Sequence, residues 1–165
     1  MMPKTARSIA VVISLFLATQ ARAEPNEKQA ILEVMAQAFA AVESSNPDDW
    51  RAIQLAEGSV LSFRQSREPG NDDLEMRMAN NETFVSKIAP DGHQYFEQWT
   101  SDPIVLVRGP IAVVWGEYEF RVDEQFVHCG VNSIDFAKVD GEWKIANFMW
   151  TVETENCPTA PKPPS

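Results

Sequence analysis

The stretch IAVVWGEYEFRVDEQFVHCGVNSIDFAKVDGEWKIANFMWTV, residues 111–152, decides the fold. Apolar and polar residues alternate through most of it, which is typical of β-strands that bury one face. Polar breaks at 123–124 and 140–141 divide it into three runs, and the second break is Asp-Gly, a strong hairpin signal between alternating runs. We therefore predict three long antiparallel strands joined by tight turns.

The residues before this stretch predict helices and further strands. Apolar side chains recur at helical spacing in 26–44, and Asn46-Pro47 has the form of a helix cap followed by a favoured first residue. The predicted elements are helices at 26–44, 46–58 and 82–89, a hairpin of strands at 59–65 and 72–78, and strand residues within 93–108. Helices followed by a long antiparallel meander predict an α+β domain whose curved sheet forms a cone.

The first 23 residues have the layout of a secretory signal. Lys4 and Arg7 precede an apolar run at 9–18, and Ala-Arg-Ala follows at 21–23. The apolar run has 10 residues, whereas a membrane-spanning helix needs roughly 20. We expect cleavage after Ala23, a periplasmic or secreted product with no membrane attachment, one domain over 24–158 and a disordered proline-rich tail over 159–165.

The charge balance is strongly acidic. The chain carries 14 Lys and Arg against 24 Asp and Glu, a net of −10. Cleavage would remove Lys4, Arg7 and Arg22 and no acid, leaving 11 cations and a net of −13. Because such a chain repels phosphate and shows no basic stripe, nucleic acid is excluded as an expected partner and anionic membrane is disfavoured.

Cys129 and Cys157 predict a disulfide, because thiols of an exported protein rarely persist in an oxidising compartment. Two histidines, with neither Cys-x-x-Cys nor His-Glu-x-x-His, give no support for a metal site, and we expect no cofactor. Strand pairing places Cys129 opposite Val152, five residues before Cys157. The chain must therefore fold back after Glu153 to bring the two α-carbons within about 7 Å.

An ordered set of short motifs resembles the exported bacterial branch of the nuclear transport factor 2-like (SnoaL-like) superfamily. The resemblance covers roughly residues 27–158, and its residues are Ser-Asp-Pro at 101–103, Gly109, Ala112, 115–120, 128–132, Phe136, 140–145, Thr151 and Cys-Pro at 157–158. It implies a curved antiparallel sheet packed on about three helices, often in a dimer. The superfamily includes isomerases, cyclases, dehydratases and non-catalytic binding modules, so the resemblance does not specify a reaction. Its enzymes place an Asp base and a Tyr or His donor in the cone, and no motif here carries those roles over.

Strand register predicts which face of the sheet holds the cavity. A two-residue loop at 140–141 places Asn132 opposite Met149, and pairing Val122 with Val127 adds residues of the preceding strand to the same face. A few polar groups in an apolar wall are typical of small-molecule sites. The predicted pocket consists of Trp115, Glu117, Asn132, Ile134, Asn147 and Met149. The alternative is that the asparagines satisfy each other or a buried water and that Glu117 reaches solvent at the rim.

Three hypotheses of function follow. The leading one is a periplasmic or secreted homodimer that binds a small apolar or aromatic molecule in its cone without a demonstrated reaction. The second is an enzyme of the isomerase, cyclase or dehydratase type, with Glu117 as the base and Asn132 or Asn147 polarising a carbonyl. The third is a protein-interaction module that uses the apolar face of the sheet.

Overall fold

The structure is a computed structural model that describes residues 25–66, 73–155 and 157. The predicted signal segment, the tip of the first hairpin and the proline-rich tail lie outside the described residues. The elements within them are α1 (Pro25–Ser44), α2 (Pro47–Ile53), β1 (Gln54–Gln65), β2 (Leu74–Asn80), α3 (Asn81–Val85), β3 (Tyr95–Trp99), β4 (Ile104–Arg108), β5 (Ile111–Val122), β6 (Gln125–Val139) and β7 (Glu142–Val152).

The strands form one curved, unclosed sheet in the order β2-β1-β7-β6-β5-β3, with β4 also paired to β5. The predicted three-strand meander is confirmed as β5, β6 and β7. The strand stretch at 93–108 divides into β3 and β4, which pair with successive parts of β5. One pairing differs from the expected antiparallel sheet, because β1 runs parallel to β7. No hairpin joins these two strands, so no tight turn fixes their relative direction.

The helices pack on the concave face of the sheet and supply the core, which confirms the predicted α+β class. Ile31 and Met35 of α1 are fully buried together with Ile134 and Ile145 of the sheet. Asn46 caps α2 as predicted, because its Oδ1 accepts a hydrogen bond of 3.1 Å from the backbone N–H of Asp48. The predicted end of this helix at Gly58 is wrong, since the chain already joins the sheet at Gln54.

An irregularity of β1 explains why that strand begins so early. Gln54 pairs with Ile145 and Ser59 with Asn147, so four residues of β1 bulge out opposite a single residue, Ala146. The buried Asn81 side chain bridges this gap, because its Nδ2 donates to the carbonyl oxygens of Leu55 at 2.6 Å and Ala146 at 3.3 Å. Glycine is required at position 58, where a Cβ would lie 1.7 Å from the Ala146 oxygen.

The predicted disulfide between Cys129 and Cys157 is confirmed, with α-carbons 5.6 Å apart. Cys129 of β6 and Glu153 exchange both backbone hydrogen bonds at 2.9 Å, and the chain then folds back so that Cys157 reaches the buried Cys129. The disulfide therefore fastens the segment after β7 to the centre of the sheet. Across the described ranges, we find no helix with the length and apolarity that a bilayer crossing requires.

Candidate functional site: a cavity in the cone

A cavity of about 450 Å³ lies between the concave face of the sheet and the helices. Its volume is within the range that small-molecule sites occupy. Side chains from α2, α3, β3, β5, β6 and β7 reach it, so its wall is assembled from elements far apart in the sequence. The wall is mostly aromatic and aliphatic, with a small number of polar groups.

Two register shifts determine which side chains face this cavity. The β6–β7 pairing begins as predicted, with Val139 opposite Glu142, but a bulge between Asp135 and Phe136 moves it by one residue. Asn132 consequently pairs with Trp150 and not with Met149. Neighbouring residues of a strand point to opposite faces, so this shift reverses the predicted orientation of every side chain in the second half of β7.

A second correction concerns the hairpin between β5 and β6. Val122 pairs with Gln125 across a two-residue turn, not with Val127 as predicted, and a further shift follows between Phe120 and Arg121. The residues of β5 on the cavity side are therefore Tyr118 and Phe120, both of which line the cavity.

The structure places the six predicted pocket residues on two different faces. Asn132 lines the cavity, and Ile134 lies on the same strand face but is packed within the core. The other four, Trp115, Glu117, Asn147 and Met149, lie on the opposite, convex face of the sheet. On that face Trp115 is 45% exposed and Met149 39% exposed, while Asn147 bonds to Ser59 and Asp135. Glu117, the predicted base, is thus separated from the cavity by the sheet.

Four aromatic side chains form a closed circuit of edge-to-face contacts in the cavity wall. Trp50 meets Phe84 and Phe148 at centroid distances of 5.9 and 6.2 Å, and Trp150 meets the same two rings at 6.2 and 5.7 Å. Such contacts fix ring orientation beyond what area burial alone achieves. This aromatic circuit, Trp50, Phe84, Phe148 and Trp150, joins α2 and α3 to β7.

Glu97 of β3 is one of two carboxylates in the cavity wall, and it is half-buried whereas the other, Asp91, is exposed. Glu97 accepts a hydrogen bond of 2.7 Å from Nδ2 of Asn132, whose side chain is itself fully buried. Desolvation raises the pKa of Glu97 to about 7, although the bond from Asn132 opposes the shift. Sequence reasoning missed this residue. The available signal was the alternation in 95–99, where Tyr95, Glu97 and Trp99 share one face and place an acid between two aromatic rings.

Tyr118 and His128 add a phenol and an imidazole to the cavity wall. The Tyr118 hydroxyl donates to the Thr151 carbonyl oxygen at 2.8 Å, and burial, followed by the nearby Glu97 charge, raises its pKa well above the ordinary value. His128 stacks on Phe120 at 4.8 Å and has Nδ1 3.4 Å from the Tyr118 oxygen. The imidazole of His128 lines the cavity, a position that sequence reasoning did not predict.

The described residues contain no group of three or more His, Cys, Asp and Glu side chains arranged to hold a metal ion. The polar groups that the fold brings to the cavity wall are instead two carboxyls, two phenols, one amide, one imidazole, one ammonium and one hydroxyl, which belong to Glu97, Asp91, Tyr95, Tyr118, Asn132, His128, Lys87 and Ser45. This set can form hydrogen bonds to a small molecule or move a proton.

Several solved structures share this architecture. A nuclear transport factor 2-like superfamily protein from Salmonella enterica aligns with a TM-score of 0.61 at 16% identity, covering 79% of this chain and 94% of that one. A nuclear transport factor 2-like protein from Cytophaga hutchinsonii aligns at 0.60 and 16% identity, over 77% and 98%. A protein of unknown function with a cystatin-like fold from Nostoc punctiforme aligns at 0.60 and 12% identity, over 80% and 95%.

No protein-family model matches the sequence. No curated protein matches it either. The chain therefore has the nuclear transport factor 2-like fold that its motifs predicted, and at these identities the likeness establishes the fold alone.

Proposed function

We propose that this chain is an exported, dimeric binding protein that holds a small, largely apolar molecule in its cavity. The observation that carries the proposal is the composition of the cavity wall. Four aromatic rings and one hydrogen-bonded amide–carboxyl pair, the buried Asn132 and the half-buried Glu97, face a volume of about 450 Å³. Apolar walls supply affinity and a few fixed polar groups supply orientation, which is the usual division of labour in small-molecule sites.

Export is supported by two independent features. The first 23 residues have the layout of a secretory signal. The Cys129–Cys157 disulfide agrees with an oxidising compartment such as the periplasm or the extracellular space.

Dimer formation is supported by the convex face of the sheet. One row of paired residues crosses that face from β2 to β4, and it consists of Met78, Leu61, Met149, Ser133, Trp115 and Ile104. Met78, Trp115 and Ile104 expose 72%, 45% and 56% of their surface. The row is uncharged, so two copies can meet through it about a two-fold axis without bringing like charges together.

Native mass spectrometry of the secreted protein tests this proposal together with a titration of a neutral, environment-sensitive dye such as Nile red. We expect two subunits, and one dye bound per cavity. Trp150→Ala removes one ring of the aromatic circuit and should weaken dye binding roughly tenfold, since aromatic contacts contribute about 0.5–1.5 kcal/mol each.

The matched control is Met76→Ala, which truncates a 60% exposed side chain on the opposite face near the sheet edge. It should bind the dye as the wild type does. Binding that both variants weaken equally, or no dye binding by the folded wild type, would contradict a ligand site in the cavity. A stable monomer would contradict the proposed dimer. It would favour the interaction-module hypothesis, in which the convex face binds another protein.

A second candidate function is proton-transfer catalysis, and the position of Glu97 favours it. A carboxyl with a pKa of about 7 is suited to act as a general base near neutral pH, and Tyr118 and His128 line the same cavity. Glu97 thereby replaces Glu117 as the candidate base of the isomerase-type hypothesis.

Deuterium incorporation from D₂O into a β,γ-unsaturated ketone tests this second function. An enzyme should accelerate exchange, with a rate that rises with pH through an apparent pKa of about 7. Glu97→Gln should then slow exchange about a hundredfold, the lower end of what general bases contribute. Glu117→Gln, on the convex face, should change nothing. Exchange no faster than in buffer would leave binding as the only function of the cavity.

A further inference from the structure

Glu97 lies in the cavity wall, and no cationic group among the described residues pairs with it. Each of the seven ion pairs between described residues involves other groups, and the only hydrogen bond to its side chain among them comes from Asn132. A desolvated carboxylate is costly unless a positive charge or several donors compensate it. Since one amide donor is all that the described protein supplies, the site is complementary to a ligand that brings a positive charge.

The remaining polar groups at the base of the cavity also favour a donor ligand. The Tyr118 hydroxyl donates its hydrogen bond to the Thr151 carbonyl oxygen, and Asn132 Nδ2 donates one to Glu97. Asn132 Oδ1 is a buried acceptor with no hydrogen-bond partner among the described residues. Acceptor atoms are therefore in excess, and a ligand that presents hydrogen-bond donors or a cation matches them better than a ligand that presents a carbonyl.

The apolar part of the wall is suited to the same class of ligand. Trp50, Phe84, Phe148 and Trp150 line the cavity as a connected aromatic circuit. Aromatic faces attract organic cations through their quadrupoles, most strongly for tryptophan and in desolvated sites. Two of the four rings are indoles, so apolar contact and attraction for a cation come from the same surface.

We propose that the ligand is a small organic cation, in which an ammonium group pairs with Glu97 and an apolar or aromatic body lies against the aromatic circuit. This inference rests on the proposed binding function and names the ligand class. The net charge of −10 on the chain acts in the same direction, because it attracts cations to the protein.

The titratable and charged groups that share the cavity with Glu97 are Lys87, Asp91, Tyr95, Tyr118 and His128. Lys87 and Asp91 carry opposite charges and are both exposed, so solvent screens the effect of each on an entering cation. The hydrogen bond that the Tyr95 hydroxyl donates to Asp91, followed by desolvation and the Asp91 charge, raises the pKa of Tyr95, so Tyr95 stays neutral at physiological pH. A proton on His128 would repel a cation, so its contribution has to be separated from that of Glu97.

The pH dependence of binding follows from these groups. A cation pairs with the ionised form of Glu97, which is favoured above pH 7 and scarce at pH 5.5. Linkage then predicts that cation binding weakens by up to about thirtyfold between pH 8 and pH 5.5. A neutral ligand that accepts a hydrogen bond from protonated Glu97 would show the opposite trend.

The test compares phenyltrimethylammonium with its uncharged isostere tert-butylbenzene, using tryptophan fluorescence because Trp50 and Trp150 line the cavity. At pH 8 we expect the cation to bind at least about tenfold more tightly than the isostere. Glu97→Gln should abolish most of this preference by weakening binding of the cation. Glu117→Gln, an acid on the convex face, should retain the preference. His128→Gln should keep the part of the pH dependence that is due to Glu97.

Each outcome decides between the two proposals. Equal binding of the two compounds, or a preference that Glu97→Gln does not alter, overturns the cation proposal and leaves a neutral-ligand site. Dye binding without binding of either compound also overturns it. If the folded protein binds neither compound nor the neutral dye, the binding function itself fails, and the ligand class fails with it.

Discussion

Opening the Cys129–Cys157 disulfide is expected to lower the free energy of unfolding by about 3–4 kcal/mol. The bond closes a loop across a sequence separation of 28 residues, and the loop-entropy estimate for that length gives this magnitude. The closed loop contains most of β6 and the whole of β7, the strand that contributes Phe148 and Trp150 to the cavity. The disulfide therefore stabilises the part of the sheet on which the proposed ligand site is built.

Urea unfolding of the oxidised protein, the reduced protein and the Cys129→Ala/Cys157→Ala variant measures this effect. The reduced protein and the variant should have similar midpoints, both well below that of the oxidised protein. A difference of less than about 1 kcal/mol would show that the segment after β7 adds little to stability. Protein made in a reducing cytosol should match the reduced form, which links the prediction to the compartment in which the chain functions.

Glu97→Gln is expected to stabilise the protein above pH 7 by about 3 kcal/mol and to leave its stability near pH 4 unchanged. In the unfolded chain Glu97 loses its proton near its ordinary pKa of 4.5, whereas in the folded state it does so near 7. As pH rises between these values, the unfolded state ionises first and the free energy of unfolding falls. Glutamine cannot ionise, and its side-chain oxygen can still accept the hydrogen bond from Asn132.

The measurement is the difference in unfolding free energy between wild type and variant from pH 4 to pH 8.5. Taking the difference cancels carboxylates common to both proteins, such as Glu119, whose pKa the hydrogen bond from Arg121 holds low and which stabilises the fold as pH rises. Glu117→Gln is the control and should give a difference near zero throughout. A flat profile for Glu97→Gln would mean that Glu97 ionises in the folded protein as it does in water.

The fold could be predicted from this sequence because its evidence is local and repeated. Strand alternation, the Asp-Gly turn at 140–141 and the capped helix that begins at Pro47 each specify an element within a few residues, and all three appear in the structure. The parallel pairing of β1 with β7 could not be predicted in this way. This pairing joins two strands that are far apart in the sequence, and no turn between them determines their relative direction.

The candidate site could be predicted less well, because the face of the sheet on which a side chain lies reverses with each one-residue shift in strand register. A turn fixes strand register only until the first bulge, and nothing in the local pattern around Asp135 and Phe136 marked the shift. The register extrapolated past that point assigned Met149 to the cavity in place of its neighbours Phe148 and Trp150. Asn132 also lies beyond the shift, but the additional residue, Ala146, is on β7. The alternation of side chains along β6 is therefore unchanged, and the structure places Asn132 in the cavity. Glu97 was missed because a single acid in a strand usually faces solvent.

The bulge in β6–β7 also bears on how this cavity could change during evolution. Losing or gaining one residue there would exchange the inner and outer surfaces of the second half of β7, so that Asn147 and Met149 would face inward and Phe148 and Trp150 outward. A single-codon insertion or deletion could thus replace an aromatic lining by a more polar one while the hairpin at 140–141 stayed intact. In proteins of this architecture, divergence of ligand preference need not begin with point substitutions, because a length change at a strand irregularity can replace several lining residues at once.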